Sequence, residues 1–262
     1  MKLALISAAA LGALLLGPAG QTAEPGATTA APSAAAASTD PGDIVEPEAL
    51  AALQRMGAYL RTLKSFEMNS EFSIDIEVDA QLITFDGGTT YKARAPDKLF
   101  VEMSTDRKLR QVFYDGRKVT IYSPRMKYYA SLEAPPTIRE TLQMAEDKYD
   151  VVLPLSDLFY WGTPAARTEQ LITGTYIGPA KCGDAICDHY AFEEQDLDWQ
   201  IWIQKGEQPL PRKVVITTQL EDSQPRFAAR LDWAVNPELA DATFAFVPPS
   251  DSRAIPIAVA SK

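Results

Sequence analysis

Two cysteines, a single histidine and a run of carboxylates are the residues whose types and spacing invite chemistry. Cys182 and Cys187 flank Gly183-Asp184-Ala185-Ile186, with strand-like residues at 173–178 and 189–192 on either side. Cysteines this close across a tight turn reach disulfide distance in a hairpin. Free thiols, or a metal site shared with His189, are the alternatives, although two cysteines alone do not make a zinc site. His189 is the only histidine in 262 residues. A Ser-His-Asp hydrolase would have to use it, and no Gly-x-Ser-x-Gly elbow accompanies it. Phosphate-loop, dinucleotide and His-x-x-x-His patterns are absent from the sequence. The run Glu193-Glu194-Gln195-Asp196-Leu197-Asp198 reads as a solvated strand-turn edge rather than a catalytic pair. The expectation is therefore a protein that binds rather than catalyses, with no cofactor and no metal.

The elements that would position these residues begin after a long apolar and low-complexity start. Lys2 precedes an apolar run over 3–16, with small residues following, as in a secretory signal peptide over 1–23. The run is short for a membrane span, which needs about 20 residues. No cysteine near the cleavage region offers a lipid attachment point. Residues 24–45 are rich in Ala, Pro and Thr and have too few large apolar side chains to offset the entropy of ordering, so they read as a flexible linker. Export to the periplasm is the expectation, and it supplies the oxidising compartment a disulfide needs. A net charge of −10 argues against nucleic acid and anionic lipid surfaces as partners.

The folded part opens on a helix, with Leu50, Leu53, Met56, Leu60 and Leu63 on one stripe. The period then changes to two. Phe72, Ile74, Ile76 and Val78 alternate with Ser73, Asp75, Glu77 and Asp79. Gly87-Gly88 reads as the next turn, followed by strands over 89–95, 99–104, 110–114 and 118–123, with an Asp115-Gly116 hairpin turn. Between 135 and 161 the spacing is helical again, through Ile138, Leu142, Ala145 and Tyr149, then Leu155, Leu158, Phe159 and Trp161. Strands resume. Leu197, Trp199, Ile201 and Ile203 face one way, and Ala229, Leu231 and Trp233 share a side of the strand over 226–235. The fold class is α+β: a large, strongly curved antiparallel sheet with helices on its concave side.

Several motifs occur in an order that resembles a known family. They are Asp115-Gly116, Tyr122-Ser123-Pro124, the helical insert, Trp202, Leu210-Pro211, Asn236 and the close at Phe244 to Pro249. Together they resemble the outer-membrane lipoprotein carrier (LolA/LolB-like) superfamily over residues 46–250, with 251–262 as a tail. Cys187-Asp188-His189 and Asp198-Trp199-Gln200-Ile201-Trp202-Ile203 are similar to an uncharacterised periplasmic branch of it. The resemblance implies a half-open β-barrel with an apolar cavity for a lipid or a lipoprotein acyl chain. Phe72, Ile74, Ile76, Leu99, Val101, Val112, Trp199, Ile201, Leu231 and Trp233 would form the wall, and Ile138, Leu142, Leu158 and Phe159 the lid. Side chains that fill a closed core are the alternative for these same positions. The arginine that helps hold a carrier's lid has only a positional candidate, Arg94, which otherwise reads as a solvated strand residue. Lipid or acylated protein, and an inner- or outer-membrane acceptor protein, are the implied partners of a monomer. A protein-interaction or envelope-stress-sensing module on the same fold, and a hydrolase built on His189, are the competing functions.

Overall fold

The computed structural model describes residues 45–257. The expected signal peptide and all but the last residue of the linker lie outside them. Helix α1, Pro47–Thr62, starts with its proline in the first turn, where the missing N–H costs nothing, and carries Glu48 there and Arg61 in the last turn. Ala49, Leu53, Met56 and Leu60 make its buried face. The chain entering α1 is pinned to the sheet. Glu46 N–H donates to the Gly174 carbonyl at 2.8 Å, and its carboxylate accepts from Tyr176 N–H at 2.9 Å.

Six strands follow: β1 (Ser65–Val78), β2 (Gln81–Arg94), β3 (Lys98–Thr105), β4 (Leu109–Tyr114), β5 (Lys118–Ser123) and β6 (Tyr128–Glu133). Helix α2, Ile138–Tyr149, comes next. Thr137 caps it by accepting from Glu140 N–H while its hydroxyl donates to the Glu140 carboxylate. Three short 3-10 turns fill 156–170. The remaining strands are β7 (Thr173–Cys182), β8 (Ala185–Glu194), β9 (Leu197–Gln204), β10 (Pro211–Thr218), β11 (Arg226–Val235) and the two-residue β12 (Arg253–Ala254).

All twelve strands form one sheet in the order β12-β6-β5-β4-β3-β2-β1-β11-β10-β9-β8-β7. Every pairing is antiparallel except β12 with β6. The α+β class and the large antiparallel sheet agree with the sequence; the strongly curved half-open barrel does not. The sheet is open, with β7 and β12 as its two edges, and is neither closed nor strongly curled. The helices bury one face without any need for the sheet to wrap around it. Period-two alternation specifies that face but not its curvature, which bulges and strand stagger set.

A second correction concerns Gly87-Gly88, which lies inside β2 rather than at a turn. The turn is Asp79-Ala80, both at positive φ (50° and 61°), as a two-residue hairpin of this hand requires. Gly87 is there for clearance. It faces Phe72 across the ladder, and a Cβ on it would stand 2.5 Å from the Phe72 ring.

After β11 the chain turns back along the outer face of the sheet. Asn236 accepts from Lys64 and Ser65 N–H. Arg94 on β2 donates to the Leu239 carbonyl at 2.9 Å, bonds Asp241 and lies over the Phe244 ring. Phe246 then meets Phe113, Tyr122 and Tyr129 on β4, β5 and β6, with ring centroids 5.1–5.3 Å away. Residues 237–254 thus strap the outer face of β2–β6. Pairing of β12 with β6 takes the strap four residues beyond the expected domain end at 250.

Candidate functional site

The apolar side of the sheet is built from cross-strand rows. One row is Phe72, Ala229, Val214, Ile201 and Tyr190; the next is Ile74, Phe227, Ile216, Trp199 and Phe192. Each position is inward because alternation puts every second residue of a strand on this face. Onto it pack α1, α2 and the turns over 153–166, giving one continuous apolar cluster.

All ten expected wall residues and all four expected lid residues are in that cluster. Trp233 is partly buried at its margin and the other thirteen are buried. Wall and cover meet ring to ring. Phe159 stands 5.7 Å from Phe66 and 6.1 Å from Tyr91, and Trp161 stands 5.7 Å from Trp199, which stacks on Phe192 at 4.3 Å. The cover's own side chains therefore occupy the apolar face.

Four side-chain fixings of the cover are of one kind, and the Ile138 N–H adds a main-chain bond to the Pro96 carbonyl at 2.9 Å. The Tyr91 hydroxyl donates to the Pro154 carbonyl, and the Tyr114 hydroxyl to the Pro135 carbonyl. Arg61 donates to the carbonyls of Phe159 at 2.7 Å and Leu158 at 2.8 Å. Burial, with the neighbouring Asp157 charge, raises the Tyr91 phenol far above its ordinary pKa, so it stays a donor at every physiological pH. Gly57 of α1 and Gly162 of the cover touch backbone to backbone. A Cβ on Gly57 would lie 2.4 Å from the Gly162 nitrogen, and Gly162 itself sits at φ +75°.

Arg61 was not singled out by the sequence. It falls on the polar flank of α1, where the stripe argument assigns it to solvent. Arg94, the positional candidate for a cover-holding arginine, holds the carboxy-terminal strap instead.

The chemistry-bearing residues are dispersed. Cys182 and Cys187 form a disulfide across the β7–β8 hairpin, with Cα atoms 6.1 Å apart, so neither thiol is free for a metal. His189 is on the outer face. Its ring stacks on Trp202 at 3.9 Å and 9°, its Nε2 pairs with the Gln200 side chain at 3.1 Å, and burial lowers its pKa. Its cross-strand neighbours are Gly178 and Trp202, and neither carries a nucleophile. Among the described residues no group of three or more His, Cys, Asp or Glu could hold a metal ion. One member of the carboxylate run departs from the solvated reading. Glu194 is buried and accepts from Trp199 Nε1–H at 3.0 Å, and burial raises its pKa. Alternation shows this, since Glu194 shares the inward parity of Phe192 and Tyr190.

The family model described as "Predicted periplasmic protein (DUF2092)" matches residues 49–258. The chain is a member of the DUF2092 family. This family match agrees with the periplasmic branch to which the Cys-Asp-His and Asp-Trp-Gln motifs pointed. No curated protein matches the chain. Solved structures similar to this DUF2092 fold include lipoprotein LppX of Mycobacterium tuberculosis, at 9% identity and TM-score 0.46, covering 74% of this chain and 98% of that one. LprF of Mycobacterium bovis is similar at 12% identity and TM-score 0.46, over 80% and 99% of the two chains. A LolA superfamily protein of Nitrosomonas europaea is similar at 11% identity and TM-score 0.37, over 76% and 97%. These are similarities of fold.

Proposed function

We propose that this DUF2092 protein is a periplasmic carrier that binds a lipid or lipoprotein acyl chain between the inner sheet face and its helical cover. The observation that carries the reading is the way the cover is held. Side chains of the body reach main-chain carbonyls at 135, 154, 158 and 159, while the contact beneath is apolar. On opening, water satisfies those carbonyls, so each hydrogen bond costs only about 0.5–1.5 kcal/mol net. The apolar face has no such substitute. It needs an apolar occupant, and an acyl chain supplies about 0.8 kcal/mol per buried methylene. A chain of about a dozen methylenes contributes about 10 kcal/mol, in place of the apolar contacts that the cover's side chains now make. No covalent step is involved.

Residues 1–23 act in this reading as the export signal and 24–45 as a tether, with 46–250 as the carrier domain. The disulfide and the family description support the periplasmic destination.

The test is native mass spectrometry with lipid extraction on protein purified from periplasm, followed by titration with a fluorescent fatty acid. A bound acyl species, displaced by the fatty acid, is the expected result. Arg61→Gln frees the Leu158 and Phe159 carbonyls and should tighten fatty-acid binding several-fold by making the open state more accessible. Protein with no lipid, no titration in either form and a stoichiometric protein partner would replace this reading with an interaction module.

A further inference from the structure

The half of the outer sheet face that the strap leaves uncovered has a charge pattern of its own. Some outer-face cations are matched: Lys92 meets Glu67 at 3.5 Å, and Arg212 bonds both Asp184 and Asp232. Lys213, Arg226 and Arg230 are not. They line one trench of about 610 Å³ across β1, β11 and β10, and none has an ion pair among the described residues.

The register explains how the trench arises. Arg230 stands opposite Lys213, while Ala228 opposes Ser73 on one side and Val215 on the other. Small residues make the floor and long cationic side chains the walls. Arg226 and Arg230 are four residues apart on one strand and so share this face. Lys213 is held in place: its ammonium lies 4.2 Å from the centre of the Trp202 ring, which is in turn stacked on His189. The two family-like motifs thus send His189, Gln200 and Trp202 outward to back this wall. Burial lowers the Lys213 pKa, and the charges of Arg230 and Arg226 lower it further, so the three cations are close enough to repel. Glu71, directly opposite Arg230 in the ladder, and Asp86, opposite Ser73, also line the trench, and neither has an ion pair among the described residues. Their charge opposes an extended acidic chain laid along the trench more than a compact dianion held by the three cations.

We propose that this trench is an anion site that takes a phosphate group, gripped by Arg226 and Arg230 and by a Lys213 pre-positioned on Trp202. Guanidinium forks match phosphate oxygens, and charge-assisted hydrogen bonds are the strong ones. The trench lies on the sheet face opposite the helical cover. It therefore does not depend on the acyl-chain reading, and either can fail alone.

The test titrates the full mature chain with inorganic phosphate by calorimetry and by NMR of the arginine side chains, against chloride at equal ionic strength. In parallel, flotation is measured on phosphatidylcholine vesicles with and without phosphatidylglycerol. Phosphate binding in the wild type, weakened about 10-fold or more in an Arg226→Gln/Arg230→Gln variant with an unchanged melting temperature, supports the site. If flotation also requires phosphatidylglycerol and is lost in the variant, the phosphate belongs to a lipid headgroup; if only free phosphate binds, it is a soluble ligand. Equal response to phosphate and chloride, or a double variant that binds both probes as the wild type does, would overturn the proposal. Lys213→Gln supplies a second variant should the arginine pair destabilise the fold.

Discussion

Arg61 holds two carbonyls of the cover through one guanidinium, and Gly57 and Gly162 meet with no side chain between them. Close packing leaves no slack at the glycine contact. Gly57→Ala is expected to cost about 1–3 kcal/mol in urea denaturation, with raised binding of an apolar dye as the cover lifts. Glu194 gives a prediction in pH. Burial raises its folded-state pKa, so it destabilises the fold while ionised in both states. That penalty is relieved as pH falls through the raised pKa towards the ordinary carboxylate value. Glu194→Gln keeps an acceptor for Trp199, and should be the more stable form at pH 7 with a flatter acid-side stability profile. An unchanged profile in chemical denaturation across that window would remove the assignment. At this scale the sequence was informative where parity decides, as for the inward positions of the wall. It was silent on Arg61, because whether a flank residue meets solvent or a carbonyl depends on a segment almost a hundred residues away.

Among the elements, the β7–β8 hairpin combines a legible feature and a hidden one. The Cys182–Cys187 spacing announced the disulfide, and the structure places it across the ladder. Replacing both cysteines by serine should cost about 2 kcal/mol on the loop-entropy argument. Amide exchange should quicken first in β7, the edge strand. The extent of β2 was not legible. Two consecutive glycines look like a turn in sequence. Only the opposing Phe72 ring explains a glycine in mid-strand, and that partner is set by the pairing register. The insert was readable as helical from its spacing, and α2 is there, but its second piece is a set of 3-10 turns interrupted by Leu155 and Gly162 at positive φ.

On the scale of the whole molecule, the sheet is covered twice: by helices on the inner face and by a carboxy-terminal strap on half of the outer one. The strap predicts a long-range dependence. Phe244 is only 1% exposed, lies beneath Arg94 and closes the strap onto β2, so Phe244→Ala should cost about 3–5 kcal/mol in thermal or chemical melts. Alternation along each strand made one apolar face visible, and order of motifs made the family visible. Curvature was not, since nothing in a period of two distinguishes an open sheet from a rolled one. An open sheet has free edges, and here they are guarded differently. The β6 side is occupied by β12. The β7 side is broken by a register shift at Gly178 (φ 138°), followed by Pro179 and Lys181. A strand with a kink, a missing N–H and a charge makes a poor template for another copy's backbone. Twelve strands can therefore lie side by side in a crowded compartment without seeding a fibre.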